Sequence, residues 1–137
     1  MNYYNYDIII VGGGPIGAST AYFLSNEKKN EKIALLRAEP LEEDPYHIAT
    51  YLYAGGSIRS YFENPEVREA TTKTINFIKN LKEENIDLSL IEDYYCFLNR
   101  GIMVPSLNIS GAKLINYFLT KAKEKNIDVF DKTFLEE

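Results

Sequence analysis

A glycine-rich turn between an apolar strand and a helix constrains the fold of this chain more than any other feature. Ile8 to Val11 form a continuous apolar run, and Gly12-Gly13-Gly14-Pro15-Ile16-Gly17 follows directly. Such a run is typical of a strand buried on both faces of a parallel sheet. Apolar and small residues continue as a helix until about residue 26, and residues 32–36 form a second apolar strand. This order predicts a parallel βαβ unit.

The glycines have the spacing G-x-G-x-x-G. Gly12 permits the tight turn, Gly14 lets the backbone approach a pyrophosphate, and Gly17 lets the helix touch the strand. Pro15 and Ile16 begin the helix, whose free amide groups and dipole favour phosphate. A glycine-rich run alone is often only a turn. The strand before it and the helix and strand after it predict a dinucleotide-binding site here.

The position expected to bind the ribose carries a basic residue. A ribose-binding acid should lie about 20 residues past the motif, and the count from Gly17 reaches Arg37. Ala38 follows, and Glu39 is the nearest acid. Two interpretations stay open. Either Arg37 pairs with a 2′-phosphate, as in NADP enzymes, or it is a surface residue and Glu39 or a backbone group holds the ribose.

The rest of the chain continues the α/β order. Residues 38–64 lack periodicity, which predicts a long loop, and we favour a functional one. Asn64 caps a helix that should run to about residue 85. Its predicted buried face comprises Val67, Ala70, Thr74, Phe77, Ile78 and Leu81.

A short hairpin, a third helix and a third strand complete the predicted order. The hairpin should pair residues 94–98 with residues 102–104. Ser110 caps the third helix, and residues 127–130 form the strand. We therefore expect one Rossmann-like domain over residues 1–137, with a parallel sheet and flanking helices.

Composition excludes several function classes. The net charge is −5, with lysines and glutamates interleaved, so we expect no nucleic-acid partner. No apolar run approaches the ~20 residues that cross a bilayer, and we expect no membrane span. The single cysteine, Cys96, excludes an internal disulfide and favours a cytoplasmic location. With His47 as the only histidine, we expect no histidine-based metal site or catalytic triad.

Two sequence blocks resemble one known superfamily. Residues 7–24 look like the opening of the D-amino-acid oxidase, glycine oxidase and sarcosine oxidase superfamily of FAD-dependent oxidoreductases. Residues 50–59, Thr50-Tyr51-Leu52-Tyr53-Ala54-Gly55-Gly56-Ser57-Ile58-Arg59, resemble the loop of that family near the flavin. The resemblance implies that Thr50 bonds a phosphate or the flavin edge. It also implies that the backbone at Gly55 and Gly56 lies close to the isoalloxazine ring.

The resemblance implies FAD as the cofactor and an amine or amino acid as the substrate, oxidised at a C–N bond. We assign no catalytic residue. Two alternatives stay open: an NAD(P)-binding domain, suggested by Arg37, and a truncated, catalytically silent subunit that needs a partner chain. Because the family is more than twice as long, we expect the sheet to be incomplete. Substrate binding would then require a completed assembly, either a homo-oligomer or a complex with a complementary subunit.

Overall fold

The computed structural model of the chain describes residues 4–28, 30–38, 57–59, 62–84, 86–88, 91–97 and 102–131. Its elements are β1 (Ile8–Val11), α1 (Pro15–Glu27), β2 (Ile33–Leu36), β3 (Ser57–Arg59), α2 (Pro65–Glu83), β4 (Ile91–Phe97), β5 (Ile102–Asn108), α3 (Gly111–Glu124) and β6 (Ile127–Phe130). They divide between two compact units, one from Met1–Tyr53 with Leu114–Glu137 and the other from Ala54–Lys113. The single domain expected over residues 1–137 stays a prediction.

The first unit contains a parallel sheet in the order β1-β2-β6. Ile8 pairs with Ile33, and Ile33 in turn pairs with Ile127, so the three strands start in register. α1 connects β1 to β2, and α3 leads into β6. This is the 3-2-1 half of a doubly wound sheet. The predicted Rossmann-like α/β fold is confirmed, with strands for one half of the sheet among the described residues.

The strand that is buried on both faces is β2. Ile33, Ala34 and Leu35 are all almost completely buried, whereas Ile9 is 58% and Val11 82% exposed in β1. The expectation that both faces of β1 are buried is therefore wrong. β1 lies at an edge of the described sheet and alternates between half-buried and exposed residues, because α1 covers only one of its faces.

Helices α1 and α3 bring their small and aromatic residues together in the first unit. Ala18 and Ala21 of α1 are fully buried, and the rings of Tyr22 and Phe118 lie 5.0 Å apart between centroids. The buried face of α3 comprises Ile115, Phe118, Leu119 and Ala122. Because α1 contacts both β1 and β2, it fixes the position of the turn between β1 and its own first residue.

The second unit contains an antiparallel sheet in the order β3-β5-β4. The expected hairpin pairing is confirmed and is longer than predicted, running from Ile91 paired with Asn108 to Phe97 paired with Ile102. β3 lies within residues 38–64, where a loop was predicted, and pairs with β5 through Ser57 and Asn108. A three-residue strand is too short to show a periodicity in its sequence, so β3 is recognisable only from its pairing with β5.

Both predicted helix caps are present in the second unit. The side-chain oxygen of Asn64 accepts hydrogen bonds from the backbone N–H groups of Glu66 and Val67 at 2.9 and 3.2 Å. The Ser110 hydroxyl oxygen accepts one from Lys113 N–H at 3.3 Å. These side chains satisfy amide groups that a helix start leaves unpaired.

The buried face predicted for α2 is only partly correct. Ile78 and Leu81 are buried, but Val67 is 42% exposed and the next two turns also face solvent at Ala70 and Thr74. The three- and four-residue spacing identified the helix correctly. It overestimated the length of the covered stripe, because burial depends on what the helix packs against.

Candidate dinucleotide site

The glycine turn lies at the carboxyl end of β1. Gly12 has a φ of +108°, a conformation that side chains with a Cβ rarely adopt. Its N–H donates to the carbonyl oxygen of Leu36 at 2.8 Å, which ties the turn to the end of β2. The chain therefore reverses here in a shape that only glycine adopts without strain, as the sequence predicted.

Gly17 is where α1 touches this turn. A Cβ atom at Gly17 would lie 1.8 Å from the carbonyl oxygen of Gly12 and 2.9 Å from its carbonyl carbon. It would also lie 3.5 Å from Cγ2 of Ile10, which shows that Ile10 faces α1. No side chain fits in this space, so the third glycine of the motif serves close packing of helix and strand.

Gly14 has the opposite surroundings. It is the N-cap of α1, has no side-chain cap, and has a φ of −74° that any residue adopts. A Cβ added there would meet nothing within 4 Å. The protein itself therefore does not require glycine at this position. The open space lies where the helix N-terminus directs its amide groups.

The first turn of α1 supplies hydrogen-bond donors toward that space. Pro15 occupies its first position and has no N–H. The N–H groups of Ile16 and Gly17 have no acceptor within the helix, because the residues four positions earlier, Gly12 and Gly13, precede the helix. Together with the helix dipole, these donors favour an anion. Ile16 itself is 83% exposed, so nothing covers this approach among the described residues.

Arg37 and Ala38 follow β2 at the same edge of the sheet. The Arg37 N–H donates to the carbonyl oxygen of Phe130 at 2.8 Å, which joins the ends of β2 and β6. A Cβ at Gly13 would lie only 2.6 Å from Cβ of Arg37. The structure thus brings the residue expected near the ribose directly against the glycine turn. Sequence reasoning left Gly13 without a role, because its contact with Arg37 exists only in the folded chain.

Tyr6 makes a second contact across the sheet that sequence reasoning missed. Its hydroxyl donates to Oδ2 of Asp128 at 2.8 Å, and its ring meets Phe130 edge-on at 5.9 Å between centroids. Burial and this hydrogen bond to Asp128 raise the pKa of Tyr6 to about 12. The residues before β1 are therefore tied to β6. The sequence contains no signal for this pairing of distant residues.

Several predicted site residues lie outside the described part of the chain. These are Glu39, Thr50, Gly55 and Gly56. Arg59 lies in β3 and Cys96 in β4, but only their backbone is described. The flavin-proximal half of the predicted site therefore stays a prediction, and the geometry concerns the phosphate and ribose end.

The described residues at this edge fit a dinucleotide. The carboxyl ends of β1, β2 and β6 meet there, and ligands of open α/β sheets bind outside such ends. The space at Gly14 is one that a Cβ would enter, beside unpaired amide donors, and this is the arrangement that a pyrophosphate requires. The fold and this edge define a dinucleotide-binding α/β protein.

The chain belongs to the FAD dependent oxidoreductase family, whose profile matches residues 7–113. The FAD-dependent oxidoreductase domain-containing protein 1 of Xenopus laevis is 34% identical over 100 residues, 67% of this chain and 20% of that protein. The protein of the same name from Bos taurus is 32% identical over 88 residues, 64% of this chain and 17% of its own length. The chain thus spans about a fifth of these relatives.

Solved structures share the fold at low sequence identity. Glycine oxidase from Bacillus cereus ATCC 14579 has a TM-score of 0.64 at 13% identity, over 93% of this chain and 47% of that one. L-proline dehydrogenase from P. horikoshii has a TM-score of 0.67 at 13% identity, over 95% and 45%. L-α-glycerophosphate oxidase from Mycoplasma pneumoniae, solved with FAD bound, has a TM-score of 0.65 at 17% identity, over 94% and 45%.

These findings confirm the resemblance and the cofactor. FAD is the cofactor of the family to which the chain belongs. The comparisons do not support the alternative of an NAD(P)-binding domain, nor that of a catalytically silent subunit. No helix within the described ranges is long and apolar enough to cross a membrane.

Proposed function

We propose that this chain is the part of a flavin-dependent oxidoreductase that holds the phosphate and adenosine end of FAD, in an enzyme that oxidises amines or amino acids at a C–N bond. The observation that carries the proposal is the open space at Gly14, next to the amide groups of Ile16 and Gly17. Gly17 is glycine because its surroundings are packed, and Gly12 because of its positive φ, whereas neither reason applies to Gly14. Gly14 has room for a ligand instead.

Each described residue would have a distinct task toward FAD. The Gly12 turn would place the pyrophosphate beside the helix N-terminus, and the amides of Ile16 and Gly17 would donate to its oxygens. Arg37 and Ala38 would border the adenosine ribose. From its spacing past the motif, Glu39 would be a ribose contact. From the resemblance, Thr50, Gly55 and Gly56 would approach the flavin. When bound, FAD supplies acceptance of a hydride, and the protein supplies binding and orientation.

The substrate class follows from the sequence blocks that resemble amine and amino-acid oxidases. Glycine oxidase, L-proline dehydrogenase and iminodiacetate oxidase are among the structures with this fold. Their names support an amine or amino acid as the substrate class. L-α-glycerophosphate oxidase has the same fold, so the fold alone does not select among these substrates.

The cofactor assignment is tested by the nucleotide that the chain retains. The full chain is purified and denatured, and any released nucleotide is identified by its mass. We expect FAD. Recovery of NADP alone would overturn the proposal. A dye-reduction assay with the FAD-loaded chain then tests the substrate class. The panel contains amines and amino acids, with glycerol 3-phosphate as the contrasting substrate.

The open edge of β1 supports a protein partner. Within the described sheet β1 pairs only with β2, and all four residues of this edge strand, Ile8–Val11, are apolar. Unpaired apolar edges promote pairing with further strands. We propose that this edge is covered in the functional assembly, by a second copy or by a complementary polypeptide.

We also propose a cytoplasmic location. The support is the composition, because the sequence contains the single cysteine Cys96 and therefore no internal disulfide. Fractionation of cells that express a tagged chain tests this. Recovery of the chain outside the cytoplasmic fraction would contradict it.

A further inference from the structure

We propose that Gly13 is a positioning residue for FAD, because its lack of a side chain lets the stem of Arg37 lie against the glycine turn. This contact fixes the distance between the pyrophosphate end and the adenosine end of the site. The inference rests on the proposed function, since it concerns the same dinucleotide site. It gives a role to the glycine that the G-x-G-x-x-G spacing leaves unspecified. Gly13 acts through Arg37 and needs no contact with the cofactor.

The contact between Gly13 and Arg37 leaves no room for a further carbon. A Cβ atom at Gly13 would lie 2.6 Å from Cβ of Arg37, 3.5 Å from its Cγ and 3.4 Å from its Cδ. The nearest of these atoms, Cβ, is attached directly to the backbone, so a change of rotamer does not move it away. A side chain at position 13 therefore requires the backbone of the turn or of the end of β2 to shift.

Hydrogen bonds hold both segments beside this contact. The Gly12 N–H donates to the carbonyl oxygen of Leu36 at 2.8 Å, which joins the residues just before Gly13 and Arg37. The Arg37 N–H donates to the carbonyl oxygen of Phe130 at 2.8 Å, so the end of β6 holds Arg37 from the other side. β1 lies at the edge of the described sheet and has no second strand there. An added side chain would therefore displace the glycine turn more readily than Arg37.

The two sides of the contact serve two ends of one ligand in the proposed function. The amide groups at the start of α1 would hold the pyrophosphate, and the end of β2 would border the adenosine ribose. Covalent bonds join these two parts of the ligand and limit their separation. A binding site has to be held within about 0.5 Å of its productive geometry by the packing behind it. A displaced turn therefore weakens binding even when every amide donor is still present.

A double-mutant cycle at positions 13 and 37 tests the inference. Gly13→Ala is made in the native chain, in Arg37→Ala, which keeps the Cβ that the new methyl group meets, and in Arg37→Gly, which removes it. Flavin fluorescence titration of the full chain measures FAD affinity. We expect Gly13→Ala to weaken binding about tenfold in the native and Arg37→Ala chains. In the Arg37→Gly chain the loss should be less than about twofold, because the two positions are coupled through that Cβ.

Urea denaturation of the same variants separates positioning from folding. The stability that FAD adds at a given concentration depends on its affinity for the folded chain. We expect FAD to stabilise Gly13→Ala less than it stabilises the native chain at the same concentration. A contact that serves only folding would lower the stability of the ligand-free chain and leave the increment from FAD unchanged. That result would overturn the inference.

The other outcomes also decide the question. An equal loss of FAD affinity in all three backgrounds would overturn the inference, because the added methyl group would then not act through Cβ of Arg37. A Gly13→Ala chain that stays unfolded in saturating FAD would overturn it too, since Gly13 would serve folding alone. Native FAD affinity in Gly13→Ala would overturn the inference and leave the proposed function intact. A native chain that does not bind FAD would overturn both.

Discussion

The two ends of the glycine turn have opposite surroundings. At Gly17 a single added carbon would lie 1.8 Å from a backbone oxygen, whereas at Gly14 it would meet nothing within 4 Å. Glycine is therefore present at positions 14 and 17 for two different physical reasons. At Gly17 the carbonyl group of Gly12 occupies the space that a side chain would need. At Gly14 the space is left open beside helix amide groups, and a ligand explains it.

The largest effect is expected at Gly17. Gly17→Ala should destabilise the chain by about 3 kcal/mol or more, because the turn or the helix must move to admit the methyl group. Gly14→Ala is the matched control and should stay within about 0.5 kcal/mol of the native chain. Urea denaturation measures both. Equal free energies of unfolding for the two variants would show that packing at Gly17 and at Gly14 does not differ.

Gly14→Val should separate binding from folding. We expect about a hundredfold loss of FAD affinity, because the branched side chain fills the space assigned to the pyrophosphate, with little change in stability. Flavin fluorescence titration measures the affinity. Asn116→Val, at an exposed position of α3, controls for the added valine. Unchanged FAD affinity in Gly14→Val would mean that the turn is only structural.

Local patterns predicted the elements of this fold well, for physical reasons. β1, α1, β2 and the caps at Asn64 and Ser110 depend on residues close in sequence, so propensity and spacing are sufficient. β3 was missed because it exists only through its pairing with β5. The predicted burial of β1 was wrong because an apolar strand has the same sequence whether or not another element covers its second face.

The same limit applies to the candidate site. The conformation of Gly12 and the packing of Gly17 follow the G-x-G-x-x-G spacing and are as expected. The contact of Gly13 with Arg37 joins two segments that are adjacent only in the folded sheet, and position 13 is unspecified in the motif. The pair of Tyr6 and Asp128 likewise has no sequence signal. Spacing predicted which backbone forms the turn, but not which side chains lie against it.

A third prediction concerns the exposed side of β1. Size-exclusion chromatography with light scattering should show that the native chain self-associates or is poorly soluble. Ile9→Lys should reduce this association, because a charge on an edge strand opposes further pairing. Val67→Lys is the control, since it places the same charge on a half-exposed apolar residue of α2. A stable native monomer would contradict the covered edge.

The smallest effect is expected at Tyr6. Tyr6→Phe removes its hydrogen bond to Asp128 and should cost about 0.5 kcal/mol at neutral pH, as for a partly exposed hydrogen bond. The pKa of Tyr6 is raised in the folded chain from 10.0 to about 12, so its contribution is complete below pH 10 and is lost as the pH rises from 10 to 12.

Urea denaturation at pH 8 to 12 measures this dependence. The native chain should lose its advantage over Tyr6→Phe across the upper part of that range. A difference between the two chains that stays constant with pH would show that Tyr6 makes no hydrogen bond in solution. FAD affinity should be the same in both chains at neutral pH, because Tyr6 ties β6 to the residues before β1 and lies apart from the glycine turn.

We propose that the pyrophosphate of FAD lies against the Gly12 to Gly17 turn. The most direct measurement is an NMR titration of the ¹⁵N-labelled chain with FAD, following each backbone amide. We predict large shifts for Gly13, Gly14, Ile16 and Gly17, with a smaller one for Arg37 and none at Lys32, at the opposite end of β2. FAD that binds while the amide signals of the turn stay unchanged would contradict this position of the pyrophosphate.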